Sequence, residues 1–507
     1  MKFYMLTLGC QMNTTDSGRV KTVLNQMGFE ETEDEDSADI IGVMACSVRQ
    51  KAIDRIYSLV YKWNKWKEKK SLITFISGCI LPFDRERFLK KFDLLFSINE
   101  LPTLPTLLQQ YGITTPYSIQ ILPSSEVALS PAAAAPQLTN TTNTVNTTDA
   151  KNKTNDDIRG KNFWNIAPTY ASKYEAFVSI QNGCDKFCTF CAVPYTRGRE
   201  VSRPSSEILK EIYTLMQSGY TSITLLGQNV NSYGLDTQGT EMSFAQLLER
   251  IGNMAKELSH DCWVYFTSPH PRDMTREVLE VIAAYPALAK QIHLPLQSGD
   301  DKLLIKMNRA HSMVRYDTVM QDIYEILPDA TIFTDIIVGF CGETEEQFER
   351  TAQVMEKYKY SMAYIAIYSP RPGATSARWK DDVPMDTKKY RFRYLSDILI
   401  KTTQEHNKKK LGTEIRVLLE KIQILKDTED NKYASFMFSA KTEGRVPVQA
   451  KIPHSLLQSY SEKEIEMLKV QSIGKFITVR VIMIQALSLI CEIQTMEIQT
   501  IETEKSK

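Results

Sequence analysis

Apolar residues along this chain recur with two different periods, and the order of those periods lays out its architecture. Within 1–122, short apolar runs alternate with stretches of helical length. Residues 3–8, 39–44 and 72–77 read as strands, and 94–98 as a fourth strand-like run. Residues 16–27, 50–66 and 84–91 read as the helices that follow. Strands alternating with helices predict a parallel α/β sheet. Residues 168–380 repeat the alternation six times, with strands predicted at 176–181, 221–226, 262–267, 290–295, 331–338 and 361–367. Helices are predicted at 205–217, 243–257, 276–285, 314–327 and 343–357, the first opened by Pro204, which suits a helix start. Six such units are too few to close an eightfold barrel. The expectation is an open (βα)6 three-quarter barrel with its site at the carboxyl ends of the strands. From about Gly412 the period drops to two. Five short strands at 414–419, 434–438, 446–450, 474–482 and 487–494 predict a small β-barrel of oligonucleotide-binding type over 412–495.

Two segments break the pattern. Residues 123–157 consist mostly of Ser, Thr, Asn, Ala and Pro and read as a disordered linker, because they cannot bury enough apolar surface to fold. Residues 496–507 form a polar tail. Between the second and third domains, 381–411 reads as a basic helical connector. It carries Lys388, Lys389, Arg391, Arg393, Lys401, Lys408, Lys409 and Lys410, with Tyr390, Phe392 and Tyr394 interleaved. Such a mixture fits a nucleic-acid surface and fits equally a solvated helix face with buried aromatics.

Composition narrows the class. A length of 507 residues suits about three domains. The 61 basic and 61 acidic residues cancel, so any polyanion must be gripped by local patches. Nine cysteines are too few for a disulfide scaffold in so long a chain, and six of them fall in positions suited to metal, which implies a reducing compartment. No apolar run reaches the roughly 18 residues of a membrane span, and MKFYMLTLGC lacks a signal-peptide layout. A cytoplasmic protein without membrane association is expected, and a monomer.

The chemistry is concentrated in cysteines. Cys184-x3-Cys188-x2-Cys191 places three thiols close enough to hold three irons of a cubane cluster, leaving the fourth iron open to a small molecule. A structural zinc site would ask for a fourth ligand, commonly from a second CxxC pair, and none lies near. Cys10, Cys46 and Cys79 each follow a predicted strand, 36 and 33 residues apart. Ligand crevices in open parallel sheets lie at that rim, so the three would converge on a second metal site; buried apolar thiols are the alternative. Other loops on the barrel's site face are polar or glycine-rich: Gly227-Gln228-Asn229-Val230-Asn231, Ser268-Pro269-His270-Pro271, Leu296-Gln297-Ser298-Gly299-Asp300 and Gly339-Phe340-Cys341-Gly342. Together they suit a zwitterionic nucleoside. His270 alone serves a turn as readily as catalysis, and Cys262 and Cys341 read as packed thiols.

With Phe190 ahead of its last cysteine, the Cys184–Cys191 run resembles the radical S-adenosylmethionine (SAM) superfamily. Gly9-Cys10-Gln11-Met12-Asn13, Ala45-Cys46-Ser47-Val48-Arg49, Ser77-Gly78-Cys79, the run from Cys184 to Pro204, Leu294-Pro295-Leu296-Gln297-Ser298-Gly299 and Arg371-Pro372-Gly373 extend that resemblance to the radical-SAM methylthiotransferase family. GCQMN and YTRGREVSRP are most similar to the branch acting on N6-isopentenyladenosine in tRNA. Cys341, Ala374 and Ile80-Leu81-Pro82 depart from the family's usual residues.

The resemblance implies two [4Fe-4S] clusters and SAM. Cys184, Cys188 and Cys191 would hold the SAM-binding cluster, with Phe190, Gly227, Gln228, Asn229, Gln297, Ser298 and Gly339 around the cofactor. Cys10, Cys46 and Cys79 would hold an auxiliary cluster carrying the sulfur to be methylated and transferred. A 5′-deoxyadenosyl radical would take hydrogen from C2 of the adenosine beside the anticodon, and a methylthio group would replace it. The final barrel would be a TRAM domain. Implied partners are the tRNA anticodon stem-loop, an electron donor and a sulfur source. A methylthiotransferase acting on N6-threonylcarbamoyladenosine, another radical-SAM RNA-modifying enzyme, and an RNA-binding protein with a cluster but no turnover remain open.

Overall fold

The computed structural model describes residues 1–47, 50–110, 162–237, 239–425 and 432–495. The predicted linker and the polar tail lie outside them. The chain forms two compact units, Met1–Ala171 and Ser172–Lys507.

The first unit is built on a parallel sheet of five strands, β1 (Lys2–Thr7), β2 (Glu30–Glu31), β3 (Ile40–Cys46), β4 (Ile73–Cys79) and β5 (Leu94–Leu95), in the order β2-β1-β3-β4-β5. β3 sits at the centre and every residue from Ile40 to Cys46 is buried. A central parallel strand covered on both faces reads as a continuous apolar run. Its alternate side chains serve two cores. Ile40 and Met44 join Phe3, Val20, Leu24 and Phe75 on one face, while Ile41, Val43 and Ala45 join Ile53, Ile56, Trp63 and Phe88 on the other.

Three local expectations are corrected here. The strand-like run 94–98 shortens to two residues before a 3-10 turn at Ile98–Thr103. The first helix begins at Gln11 rather than 16 and runs to Gln26, with Cys10 as its N-cap. Cys46 and Cys79 do not follow their strands but end them, opposite one another in register.

The second unit holds two three-stranded parallel sheets. β6 (Glu175–Ser179), β9 (Ser222–Leu226) and β10 (Trp263–Phe266) make one; β11 (Gln291–His293), β12 (Thr331–Val338) and β13 (Met362–Ile367) make the other. A short antiparallel pair, β7 (Gln181–Asn182) and β8 (Val201–Ser202), closes the base of the long loop after β6. β14 (Glu414–Ile424), β15 (Tyr433–Thr442), β16 (Pro447–Pro453), β17 (Phe476–Ile484) and β18 (Leu489–Ile493) then close into a barrel in the order β14-β15-β16-β18-β17. Its interior is filled by Val417, Leu419, Phe438, Ala450, Val479 and Cys491 among others.

The barrel docks on the amino ends of the parallel strands. Leu418 shares a cluster with Trp263 and Tyr265, and Arg445 lies 3.9 Å over the Tyr265 ring and donates to Thr224 Oγ1 at 2.6 Å. The carboxyl ends of the same strands are left to their loops.

Between the sheets and the barrel runs the helix Met385–Lys408. The expectation of a basic connector with solvated charges is corrected at two of its cations. Lys388 and Arg391 are buried, the first ion-paired to Asp381 at 2.5 Å and the second to Glu343 and Glu345 at 2.8 Å each. Lys389, Arg393, Lys401, Lys408 and Lys409 remain exposed, as do Tyr390, Phe392 and Tyr394.

Candidate active site

In the first unit the carboxyl edge of the sheet gathers three thiols. The chain leaves β1 through Gly9, whose φ of +118° and whose α-carbon against Cys46 leave no room for a side chain. A Cβ there would lie 2.8 Å from Cys46 Cβ and 2.9 Å from Asn13 Nδ2. Asn13 ties the edge together: its Nδ2 donates to Leu8 O and Ala45 O at 2.7 Å each, and Cys79 Sγ lies 3.4 Å from its Oδ1. One buried amide thus bonds the carbonyl two residues before Cys10, the carbonyl just before Cys46 and the thiol of Cys79. Cys46 and Cys79 are buried, while Cys10 faces solvent at the rim. Asn13 stands inside the GCQMN motif, yet its role depends on how β1 and β3 align and was not readable from spacing.

In the second unit the loop after β6 carries Cys184, Cys188 and Cys191. Gly183 opens it with φ +81°, and any Cβ there would overlap the carbonyl of Arg199 across the hairpin. Arg199 clasps Asp185 through two bonds, Nε to Oδ1 at 2.7 Å and Nη2 to Oδ2 at 2.9 Å, and Cys184 N donates to Gly198 O at 3.2 Å. From the other sheet, Asn308 Nδ2 donates to the carbonyls of Lys186 (3.1 Å) and Phe187 (3.0 Å), and Thr189 N donates to Met307 O at 3.0 Å. Arg309 Nη1 donates to Cys188 Sγ at 3.3 Å.

Burial pushes the Cys184 thiol up to about 11 and the Cys191 thiol up to about 12. Each also senses the charge of Cys188. Iron binding relieves that cost, because the metal replaces the proton. No three His, Cys, Asp or Glu side chains among the described residues converge tightly enough for one metal ion. Three cysteines supply three corners of a cubane, whereas a structural zinc asks for a fourth closed ligand.

The remaining predicted residues divide. Gly227, Gln228 and Asn229 follow β9 and lie beside the cysteine loop's base, where Gln181 Oε1 accepts from Asn229 N at 3.2 Å. Gln228 Oε1, Asn229 Oδ1, Glu200 Oε2, and Nε2 of both His270 and His311 are buried without hydrogen-bond partners among the described residues. Such orphaned donors and acceptors suit a polar ligand. His270 caps a turn, its Nδ1 accepting from Arg272 N at 3.1 Å, so its proton sits on the orphaned Nε2. Burial, reinforced by Arg309, holds its imidazole far below the ordinary histidine range.

Gln297 sits at a left-handed φ of +71° and is bridged through its backbone to Asp335 and Ile337 of β12. Ser298 Oγ accepts from Asp300 N at 3.2 Å and lies 3.5 Å from Thr351 Oγ1, so the structure commits it to the turn. Gly339 lies against the stem of Lys388 and donates its N–H to Glu343 Oε2 at 2.5 Å. Phe190 packs with Phe340, Cys341, Met307 and Trp379 and anchors the loop. Cys262, Cys341 and Cys491 are buried thiols outside both triads. Asn13, Gln181, Asn308 and Arg309 were missed by sequence reasoning; the only signal for the last two was a polar run directly after a helix.

Comparison with known proteins agrees with this geometry. Residues 178–355 match the Radical SAM superfamily, and residues 2–97 match the Uncharacterized protein family UPF0004. The tRNA-2-methylthio-N(6)-dimethylallyladenosine synthase of Fervidobacterium nodosum is 36% identical over 83% of this chain and 88% of its own length. Proteins of the same name from Aeromonas hydrophila and Chromobacterium violaceum are 32% and 33% identical, covering 94% and 90% of this chain and 92% and 97% of their own. Likeness of that degree over so much of both sequences places the chain in the radical-SAM methylthiotransferase family.

Proposed function

We propose that this enzyme inserts a methylthio group at C2 of N6-isopentenyladenosine next to the tRNA anticodon, using one cluster in each unit. The observation that carries the reading is the second thiol triad, Cys10, Cys46 and Cys79, drawn to one sheet edge by Asn13. A radical-SAM enzyme that only abstracts hydrogen needs Cys184, Cys188 and Cys191 alone. When bound, a [4Fe-4S] cluster with SAM on its open iron supplies the one-electron chemistry that makes a carbon radical, and a second cluster supplies the sulfur.

The chain's own residues then bind and orient. Gln228, Asn229 and His270 offer unpartnered polar atoms to SAM. Phe190 fixes the cysteine loop against Phe340. Gln297 and Gly339 would border SAM from the loops after β11 and β12. In this reading the six parallel strands of the second unit form an open partial barrel, and the closed five-stranded barrel serves as a TRAM domain that grips tRNA. The reading also includes an electron donor, a sulfur source, a monomeric state and a cytoplasmic location. Among the described residues no helix is long and apolar enough to cross a membrane.

The test is anaerobic reconstitution of the full chain, then incubation with SAM, a chemical reductant and tRNA carrying either N6-isopentenyladenosine or N6-threonylcarbamoyladenosine. Mass spectrometry of the nucleosides is expected to find the methylthio product from the first tRNA only. Product from the second alone would move the enzyme to the other branch. Free 5′-deoxyadenosine with neither product would leave a radical-SAM enzyme of another kind, and its absence would leave an RNA-binding protein.

A further inference from the structure

Arg309 is a buried cation with no carboxylate beside it. The residue is only 6% exposed, and no Asp or Glu among the described residues forms an ion pair with it. Nη1 donates to Cys188 Sγ at 3.3 Å, Nη2 donates to Pro295 O at 3.2 Å, and Nε is buried without a partner. A guanidinium taken out of water needs an opposite charge nearby. The other groups around it do not supply one. His270 and His311 are both held in the neutral form, chiefly by burial and next by Arg309 itself. Lys186 is positive and has its own partner in Asp273 at 2.6 Å. What remains within reach are the sulfurs of the cysteine loop itself, Cys188 at hydrogen-bond distance and Cys191, whose thiol also senses the Arg309 charge.

The position is built rather than incidental. Asn308 and Ala310 on either side take left-handed φ values of +54° and +51°. The Asn308 amide and the Met307 carbonyl are bonded into the cysteine loop. The guanidinium is thereby fastened to the same loop whose thiol it touches.

We infer that Arg309 is a positioning residue that sets the reduction potential of the cluster held by Cys184, Cys188 and Cys191. The inference rests on the family reading of that loop. Hydrogen bonds to cluster sulfurs and nearby charge are main determinants of such potentials. Reduction adds one electron from an external one-electron reductant, breaks no bond and makes the cluster more negative. A fixed positive charge at hydrogen-bond distance favours that added charge, so Arg309 makes the cluster easier to reduce.

The test uses the full chain in a Cys10→Ala/Cys46→Ala/Cys79→Ala background, so that only the Cys184–Cys191 site carries a cluster. Arg309→Gln and Arg309→Lys are compared in titrations with dithionite followed by electron paramagnetic resonance, alongside iron per chain. Arg309→Gln is expected to lower the reduced-to-oxidised ratio at fixed potential about tenfold, a shift of about 59 mV to the negative side for one electron. Arg309→Lys is expected to stay close to the unsubstituted protein. Retention of iron by the Lys variant but not by the Gln variant would also support the inference, since positive charge is then what the site requires. A Gln variant with full iron and an unmoved potential would overturn it. So would a Lys variant shifted as far as Gln, or loss of iron from both, which would make Arg309 an assembly residue. No RNA enters the measurement, so failure of the tRNA assay and failure of this inference are separate results.

Discussion

At the scale of single residues, Asn13 does more than any one cysteine to shape the edge of the first sheet. Its amide satisfies the buried carbonyl of Ala45 and the half-buried one of Leu8, and meets the thiol of Cys79. Removing one partner of a buried polar group costs about 1–3 kcal/mol, because the carbonyl left behind has lost water and gained nothing. Asn13→Ala is therefore expected to loosen the Cys10, Cys46 and Cys79 triad while leaving the Cys184 loop alone. Iron and sulfide assays after reconstitution would fall from about eight irons per chain toward about four, two cubanes to one. Unchanged iron would mean that the three thiols hold no cluster or need no help.

Gly183 gives the complementary case. With φ +81° and the Arg199 carbonyl where a Cβ would go, Gly183→Ala strains the backbone and opens the hairpin below Cys184. The expected loss is the other four irons, read by the same assay. Gly9-Cys10 and the cysteine run from Cys184 were legible as motifs. What was not legible was the hydrogen bonding across β1 and β3, because register is a property of the folded sheet.

At the scale of elements, the helix Met385–Lys408 shows why charge patterns mislead. Along the sequence it is basic with interleaved aromatics. Its buried stripe is Leu395, Ile398, Leu399 and Thr402, and the same stripe continues toward the N-terminus through Arg391, four residues before Leu395, and Lys388, three residues before Arg391. Helical spacing thus placed both cations on the packed face. Composition alone pointed them to solvent, and acidic partners make burial tolerable: Asp381 seven positions before Lys388, and Glu343 and Glu345 48 and 46 positions before Arg391. Arg391→Ala would strand Glu343, whose carboxyl is already raised above the usual range by burial. Breaking a buried pair costs about 3–5 kcal/mol.

The sign with pH follows from the raised carboxyl. A folded-state pKa above the unfolded value of about 4.3 means that the folded form prefers the protonated acid, so stability falls as pH rises through the folded pKa. Losing Arg391 removes the charge that pulls Glu343 back down. The stability deficit of Arg391→Ala is then expected to be largest at neutral pH and to shrink toward about pH 4, where the free acid is itself protonated. Urea unfolding at several pH values checks this; a deficit that does not change with pH would show that Glu343 stays ionised without its partner.

At the scale of the whole molecule, 61 positive and 61 negative residues leave no net field to draw in RNA. If tRNA binds, its phosphates must meet a local cluster of charge. After Lys388 and Arg391 are set aside, Lys389 and Arg393 remain exposed on the helix. Tyr390 and Tyr394 lie between and beyond them, their rings 6.0 Å apart and both braced on Phe348. Cations beside supported aromatic rings can neutralise phosphates and stack bases independently. That independence is testable. Lys389→Ala/Arg393→Ala is expected to reduce the slope of log affinity against log salt by about 0.7–0.9 for each phosphate no longer neutralised. Tyr390→Ala/Tyr394→Ala is expected to weaken binding by about 1–3 kcal/mol per stacked base without changing the slope. Fluorescence anisotropy with the anticodon stem-loop across a salt series reads both. If neither pair moves affinity or slope, the helix is a solvated connector and the anticodon arm is held elsewhere on the enzyme, with the closed barrel next to be tested.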